Sequence, residues 1–167
     1  ETGLDYFRLK GDLSWQRDRF RTHIRAAIKS KLPLIIHTRN AQDDTISIMK
    51  EEGANSATGV MHCFTESYEM AKQAIDLGFY ISFSGIITFK NAETLRETVK
   101  KIPIENILIE TDSPYLAPVP NRGKLNEPAN VRYVAEKISE LKGIPVEKVA
   151  EITTNNFFKL FSKCKTL

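Results

Sequence analysis

Three short apolar runs in this chain end in side chains that do not belong in a core. Leu34-Ile35-Ile36 runs into His37, Thr38 and Arg39, Val60-Met61 into His62, and Ile107-Leu108-Ile109 into Glu110 and Asp112. Stretches with apolar residues at helical spacing separate them, and that order constrains the fold more than any other feature. Strands alternating with helices through short links call for a parallel sheet. Strands that are apolar almost throughout fit it, because helices cover such sheets. In a parallel α/β protein the functional groups gather at the carboxyl ends of the strands. His37, His62 and Asp112 all fall there.

The helical stretches can be placed from their spacing. Phe20, Ile24, Ala27 and Ile28 predict a helix over 14–32, with Ser14 as its N-cap and Pro33 as its stop. A weaker pattern around Ile46 and Met49 covers 41–52 and ends at Gly53; Met70, Ala74 and Leu77 mark 66–77. "FYISFSG" alternates as a strand, and a helix at 92–101 leads to a strand at 106–111. The segment with Pro114, Pro118, Pro120 and Pro128 must be loop. Two helices close the chain, one through Val131, Val134, Ala135, Ile138 and Leu141, the other through Val146, Val149 and Ile152.

A length of 167 residues suits one domain with a real core, and 41% hydrophobic with 27% charged residues reads as globular. A net charge of +3 tilts only weakly toward an anionic partner. No apolar run approaches the roughly 18–20 residues of a membrane span, and no signal peptide opens the chain, so a cytoplasmic protein is expected. Cys63 and Cys164 lack C-x-x-C spacing and read as free thiols, with Cys63 in packing on the face opposite His62.

Imidazoles and carboxylates are natural ligands of zinc, manganese and related ions, and strand ends hold them rigidly. Singly, a histidine at a strand end is an ordinary hydrogen-bonded residue, and Asp112 before Ser113-Pro114 is an ordinary turn residue. Jointly the balance reverses, because three strands each deliver a ligand-type side chain to one rim. Glu1 joins them at the head of "ETGLD", which reads as the tail of a strand. His23, inside the first helix, is assigned to packing or surface. Arg122 and Lys124 flank Gly123 in a loop able to grip a phosphate, and Arg39 strengthens that reading; the plain alternative is a solvated loop.

These motifs resemble a known family. "ETGLD", "IHTR", "HCFT", "ISFSG", "ETDSPYLAPVPNRGKLNEP" and "TTNNFFKLF" together are similar to the TatD-related metal-dependent deoxyribonucleases, a branch of the amidohydrolase-like TIM barrels. The likeness runs from Glu1 to about Phe161. It implies an α/β fold of the (β/α)8 TIM-barrel type and hydrolysis of DNA phosphodiester bonds by a metal-activated water. It implies two divalent metal ions, zinc, magnesium or manganese, in the complete protein. The resemblance further implies that Glu1 would bridge them, that His37 and His62 would ligate one, and that Asp112 would ligate the other and orient the attacking water. Arg39, Arg122 and Lys124 are then the substrate-phosphate residues.

The family's His-x-His pair has no counterpart in this sequence. A (β/α)8 barrel needs on the order of 250 residues and eight strands, whereas five strand ends are visible here. The chain therefore reads as the C-terminal portion of one TIM-barrel domain, residues 1–167, lacking its first three βα units. The expected partners are DNA and either a missing N-terminal segment or a second copy, with no membrane. At most one weakly held metal and little hydrolysis are expected of the chain alone. Two other functions stay open: an amidohydrolase-like hydrolase of a small ester or amide, which would not need Arg122 and Lys124, and a catalytically inactive nucleic-acid-binding remnant.

Overall fold

The computed structural model describes residues 1–164. Five strands and six α-helices alternate among the described residues: β1 (Thr2–Asp5), α1 (Ser14–Ser30), β2 (Leu34–Arg39), α2 (Gln42–Glu51), β3 (Gly59–Met61), α3 (Tyr68–Asp76), β4 (Phe79–Phe83), α4 (Glu93–Lys101), β5 (Ile107–Ile109), α5 (Val131–Lys142) and α6 (Val146–Leu160). The strand order follows the chain, β1-β2-β3-β4-β5, as expected of successive βα units. The chain divides into two compact units, Glu1–Ile81 and the residues from Ser82 onward.

In the first unit the strands are parallel and their registers interlock. Gly3 pairs with His37, Leu34 with Gly59, and Gly59 with Phe79. The pleat sends alternate side chains of β2 to opposite faces. Leu34, Ile36 and Thr38 are buried, while Ile35 is 40% exposed and Arg39 is exposed. The buried set shares its core with Phe20 and Ile24 of α1 and Met49 of α2. His37 therefore stands on the face with Ile35 and Arg39, away from that core.

Helix ends show where local sequence decided and where it did not. Ser67 caps α3, accepting a hydrogen bond from Met70 N at 3.2 Å. Ser14 does not cap α1. It is the first helical residue, Leu13 holds the N-cap position without a side-chain cap bond, and Asp12, one position earlier, accepts from Ser14 N and from Ser14 Oγ at 2.8 Å each. A carboxylate two residues ahead reaches both donors, which a lone serine cannot. Lys31 then closes α1 in the left-handed region, two residues before Pro33.

In the second unit Glu110 N donates to Phe83 O at 3.0 Å, which ties the end of β5 to the end of β4. Phe83, Ile87, Val99, Ile107, Val134, Ile138 and Val149 are all buried. Asn156 of α6, 1% exposed, donates through Nδ2 to the carbonyls of Ile104 and Ile107 at 3.0 and 2.9 Å. It satisfies backbone acceptors where β5 begins. No helix among the described residues is long and apolar enough to cross a membrane.

Two substitutions test these packing arguments. A Cβ on Gly59 would lie 2.3 Å from Leu34 O and 2.6 Å from Phe79 Cε1, so Gly59→Ala must push β3 off its neighbours. Its expected cost is about 2–3 kcal/mol, read as a lower urea midpoint. Asn156→Ala strands two carbonyls in the core and should cost about 2–3 kcal/mol by the same measurement.

Candidate metal centre

The first unit brings Glu1, His37 and His62 together. Each offers one ligand atom, and the three atoms lie within 4.8 Å of one another. Glu1 stands just before β1, His37 is the fourth residue of β2, and His62 directly follows β3. His37 is inside its strand and not at its end, with two residues of β2 extending beyond it. Register explains the convergence, since Gly3 is level with His37 and His62 N donates to Ile36 O at 2.9 Å.

Close approach of β1 and β2 at this level depends on Gly3. Its φ is +135°, and a Cβ there would lie 2.0 Å from His37 O. No side chain fits, so glycine sets the strand spacing beside the histidine. His62 Nε2 lies 3.0 Å from Glu1 Oε2, and the two imidazole rings are 6.2 Å apart between centroids. Ligand atoms on a tetrahedral zinc ion with bonds near 2.1 Å are separated by about 3.4 Å. Two imidazoles and one carboxylate at these separations fit a divalent ion of the zinc or manganese type after small side-chain rotations.

The sequence reading passed over two acidic neighbours of His37. Asp5 closes β1 and faces His37, its Oδ2 lying 3.0 Å from His37 Nε2. Glu66 follows β3 by five residues, and its carboxyl is pushed above the ordinary glutamate range by burial, against the opposing pull of the Asn40 N–H and of His37. Glu66 could have been found from its place just after "HCFT", and Asp5 from its place in "ETGLD" beside Glu1.

The remaining predicted residues stand as follows. Arg39 is exposed at the end of β2, its guanidinium 3.6 Å from the centroid of the Phe7 ring. His23 is exposed on α1 and hydrogen-bonds Thr2 Oγ1, in keeping with a surface role. Cys63 is half-buried with φ +45° outside the strand, so the alternation used to place it does not apply. In the second unit Asp112 lies three residues past β5 with φ +58°, and its carbonyl accepts from Tyr115 N at 3.0 Å. Arg122 donates to Ala117 O at 2.8 Å and stacks 3.8 Å from the Phe89 centroid; Lys124 is exposed.

Asn126, 6% exposed, organises that loop, and the sequence reading passed over it. Its Nδ2 donates to Thr111 O at 2.8 Å and Tyr115 O at 2.7 Å, while its Oδ1 accepts from Asn130 Nδ2 at 3.0 Å. One buried amide thus ties both ends of the segment that carries Asp112.

The raised pKa of Glu66 makes a prediction with a definite sign. The folded state holds this proton more tightly than the unfolded chain, so the associated stability is present below the ordinary glutamate value and is lost as pH rises through the raised folded value. Glu66→Gln removes that loss while keeping an acceptor for Asn40. The variant should gain urea midpoint over wild type at about pH 7, and the gain should shrink toward pH 4.

Comparison with known proteins identifies the family. The family model described as TatD related DNase matches residues 1–162. The uncharacterized metal-dependent hydrolase YcfH of Escherichia coli (strain K12) is 52% identical over 161 residues, covering 96% of this chain and 61% of that protein. The uncharacterized metal-dependent hydrolase YabD of Bacillus subtilis (strain 168) is 50% identical, covering 96% and 63%. The chain therefore spans about three-fifths of the length of these relatives. Among solved structures, the TatD homolog YJJV from Escherichia coli K12 superposes with a TM-score of 0.88 at 29% identity, covering 97% of this chain and 62% of that one. A hydrolase TatD family protein from Entamoeba histolytica does so with a TM-score of 0.83, also at 29% identity, covering 96% and 61%. With its sequence matched almost end to end and its strands arranged as in these structures, the chain belongs to the TatD-related family of metal-dependent hydrolases, whose fold is of the TIM-barrel type.

Proposed function

We propose that this chain supplies part of the active centre of a divalent-metal-dependent hydrolase that cleaves phosphodiester bonds in DNA. The observation that carries the reading is the approach of the Glu1, His37 and His62 ligand atoms to within 4.8 Å of one another. When bound, a divalent ion there supplies Lewis acidity and lowers the pKa of its water. Glu1, His37 and His62 hold the ion at one site. Glu1 would also serve a second ion, for which Asp112 would be a ligand, its carboxylate orienting the attacking water by accepting a hydrogen bond from it. Arg39, Arg122 and Lys124 bind substrate phosphates, consistent with the net charge of +3.

The engagement of Arg122 with Phe89 and Ala117 favours a second reading, in which this cation locks the loop and the substrate is a small ester or amide. Arg122→Ala separates the two. Under the DNA reading KM on DNA rises and the salt slope of binding falls by about 1, with metal content unchanged. Under the second, thermal stability falls and the salt slope stays as it was.

Metal uptake is measured on this chain by titration calorimetry with zinc and manganese. Cleavage is measured on the chain completed with the segment by which YcfH exceeds it. His62→Ala should weaken uptake by at least about 100-fold and abolish metal-dependent cleavage, with little change in the urea midpoint. Normal uptake by this variant removes His62 from the ligand set.

A further inference from the structure

Asp5 is held unusually well for a residue at the end of an edge strand. Its N–H donates to Gln16 Oε1 at 2.9 Å and its carbonyl accepts from Gln16 Nε2 at 2.8 Å, so a buried side chain stands in for a neighbouring strand. On the other side Asp5 pairs in register with Arg39 of β2. Its carboxylate is divided between two tasks: Oδ1 accepts from Phe7 N at 2.8 Å, and Oδ2 lies 3.0 Å from His37 Nε2. Backbone and carboxylate are both fixed, with one oxygen aimed at one nitrogen of the ring. Glu1, Asp5 and His37 line the same open cleft of about 270 Å³.

An ionised carboxylate only accepts hydrogen bonds, so the ring nitrogen that faces it carries the hydrogen. With the hydrogen on Nε2, the lone pair of neutral His37 is on Nδ1. The two histidines then differ. His62 presents Nε2 to Glu1, a proposed co-ligand, whereas His37 presents Nε2 to Asp5, which is absent from the group of mutually close ligand atoms. We propose that Asp5 is the positioning residue for His37: it holds the Nε2–H, selects the tautomer and ring orientation, and leaves Nδ1 as the metal-binding atom. The proposal rests on the metal reading above and adds to it a residue that makes no contact with the ion.

The test uses the isosteric variant Asp5→Asn. If its Oδ1 keeps the bond from Phe7 N, its amide NH2 faces His37 Nε2 as a donor and reverses the requirement on the ring. The first readout is the tautomer of His37 in the metal-free protein, from long-range ¹⁵N spectra at about pH 8, where imidazole is ordinarily neutral. The His37 signal is assigned by its loss in His37→Gln. Wild type should show Nε2–H with Nδ1 bare, and Asp5→Asn should move the hydrogen to Nδ1. The second readout is zinc affinity by calorimetry, which should fall about 10–100-fold in Asp5→Asn with the urea midpoint nearly unchanged. Wild type with the hydrogen on Nδ1, or Asp5→Asn with the tautomer and zinc affinity of wild type, overturns the role of Asp5. Wild type that shows the expected tautomer yet takes up no zinc overturns the metal reading instead, so the two failures are distinct.

Discussion

The candidate centre depends on the close contact between β1 and β2 at Gly3. A Cβ there would fall 2.0 Å from His37 O, so the two strands can approach only because that atom is missing. The approach places Glu1 two residues before the His37 level and Asp5 two residues beyond it. One carboxylate thus joins the two imidazoles, while the other fastens to the far side of one of them. A side chain at position 3 would separate the strands and all three relationships would go together.

Around that contact, burial and exposure divide by the pleat. Leu34, Ile36 and Thr38 look toward the helices, and the Thr38 and Thr45 hydroxyls satisfy each other in the core at 3.2 Å. His37 looks the other way, beside Ile35 and Arg39. A polar group at the end of an apolar strand is thus no anomaly. It belongs to the half of the alternation that helices do not cover, where a charged or metal-binding side chain escapes the desolvation cost of the core.

The second unit uses a different means to hold polar groups in place. Its long proline-bearing loop has little regular structure, yet within it Asn126 satisfies two carbonyls and accepts from Asn130. Arg122 is fastened by a carbonyl and by the Phe89 ring. Such amide networks are worth more than exposed ion pairs, because every member is sheltered and paired. They also hide from a sequence reading, since an asparagine in "NEPAN" looks like any turn residue until its partners are known.

Order and type of the elements were legible from the sequence alone, because hydrophobic period is a local property: every helix and strand expected from spacing is present, within a few residues at its ends. The family was legible too, through "ETDSPYLAP" and its companions. His37, His62 and Asp112 stood out because three separate strands end in ligand-type side chains, whereas the grouping of Glu1 with the two histidines came from the family resemblance. What the sequence could not contain was mutual geometry. That Ser14 donates to Asp12 and does not cap α1, that Gln16 clamps the Asp5 backbone, and that the Asp5 carboxylate meets one nitrogen of His37 are all facts about distance between residues 2 to 32 positions apart. Tertiary structure decided them, because a hydrogen bond is directional within a few tenths of an ångström, whereas the pattern that builds the strands constrains only which face each side chain takes.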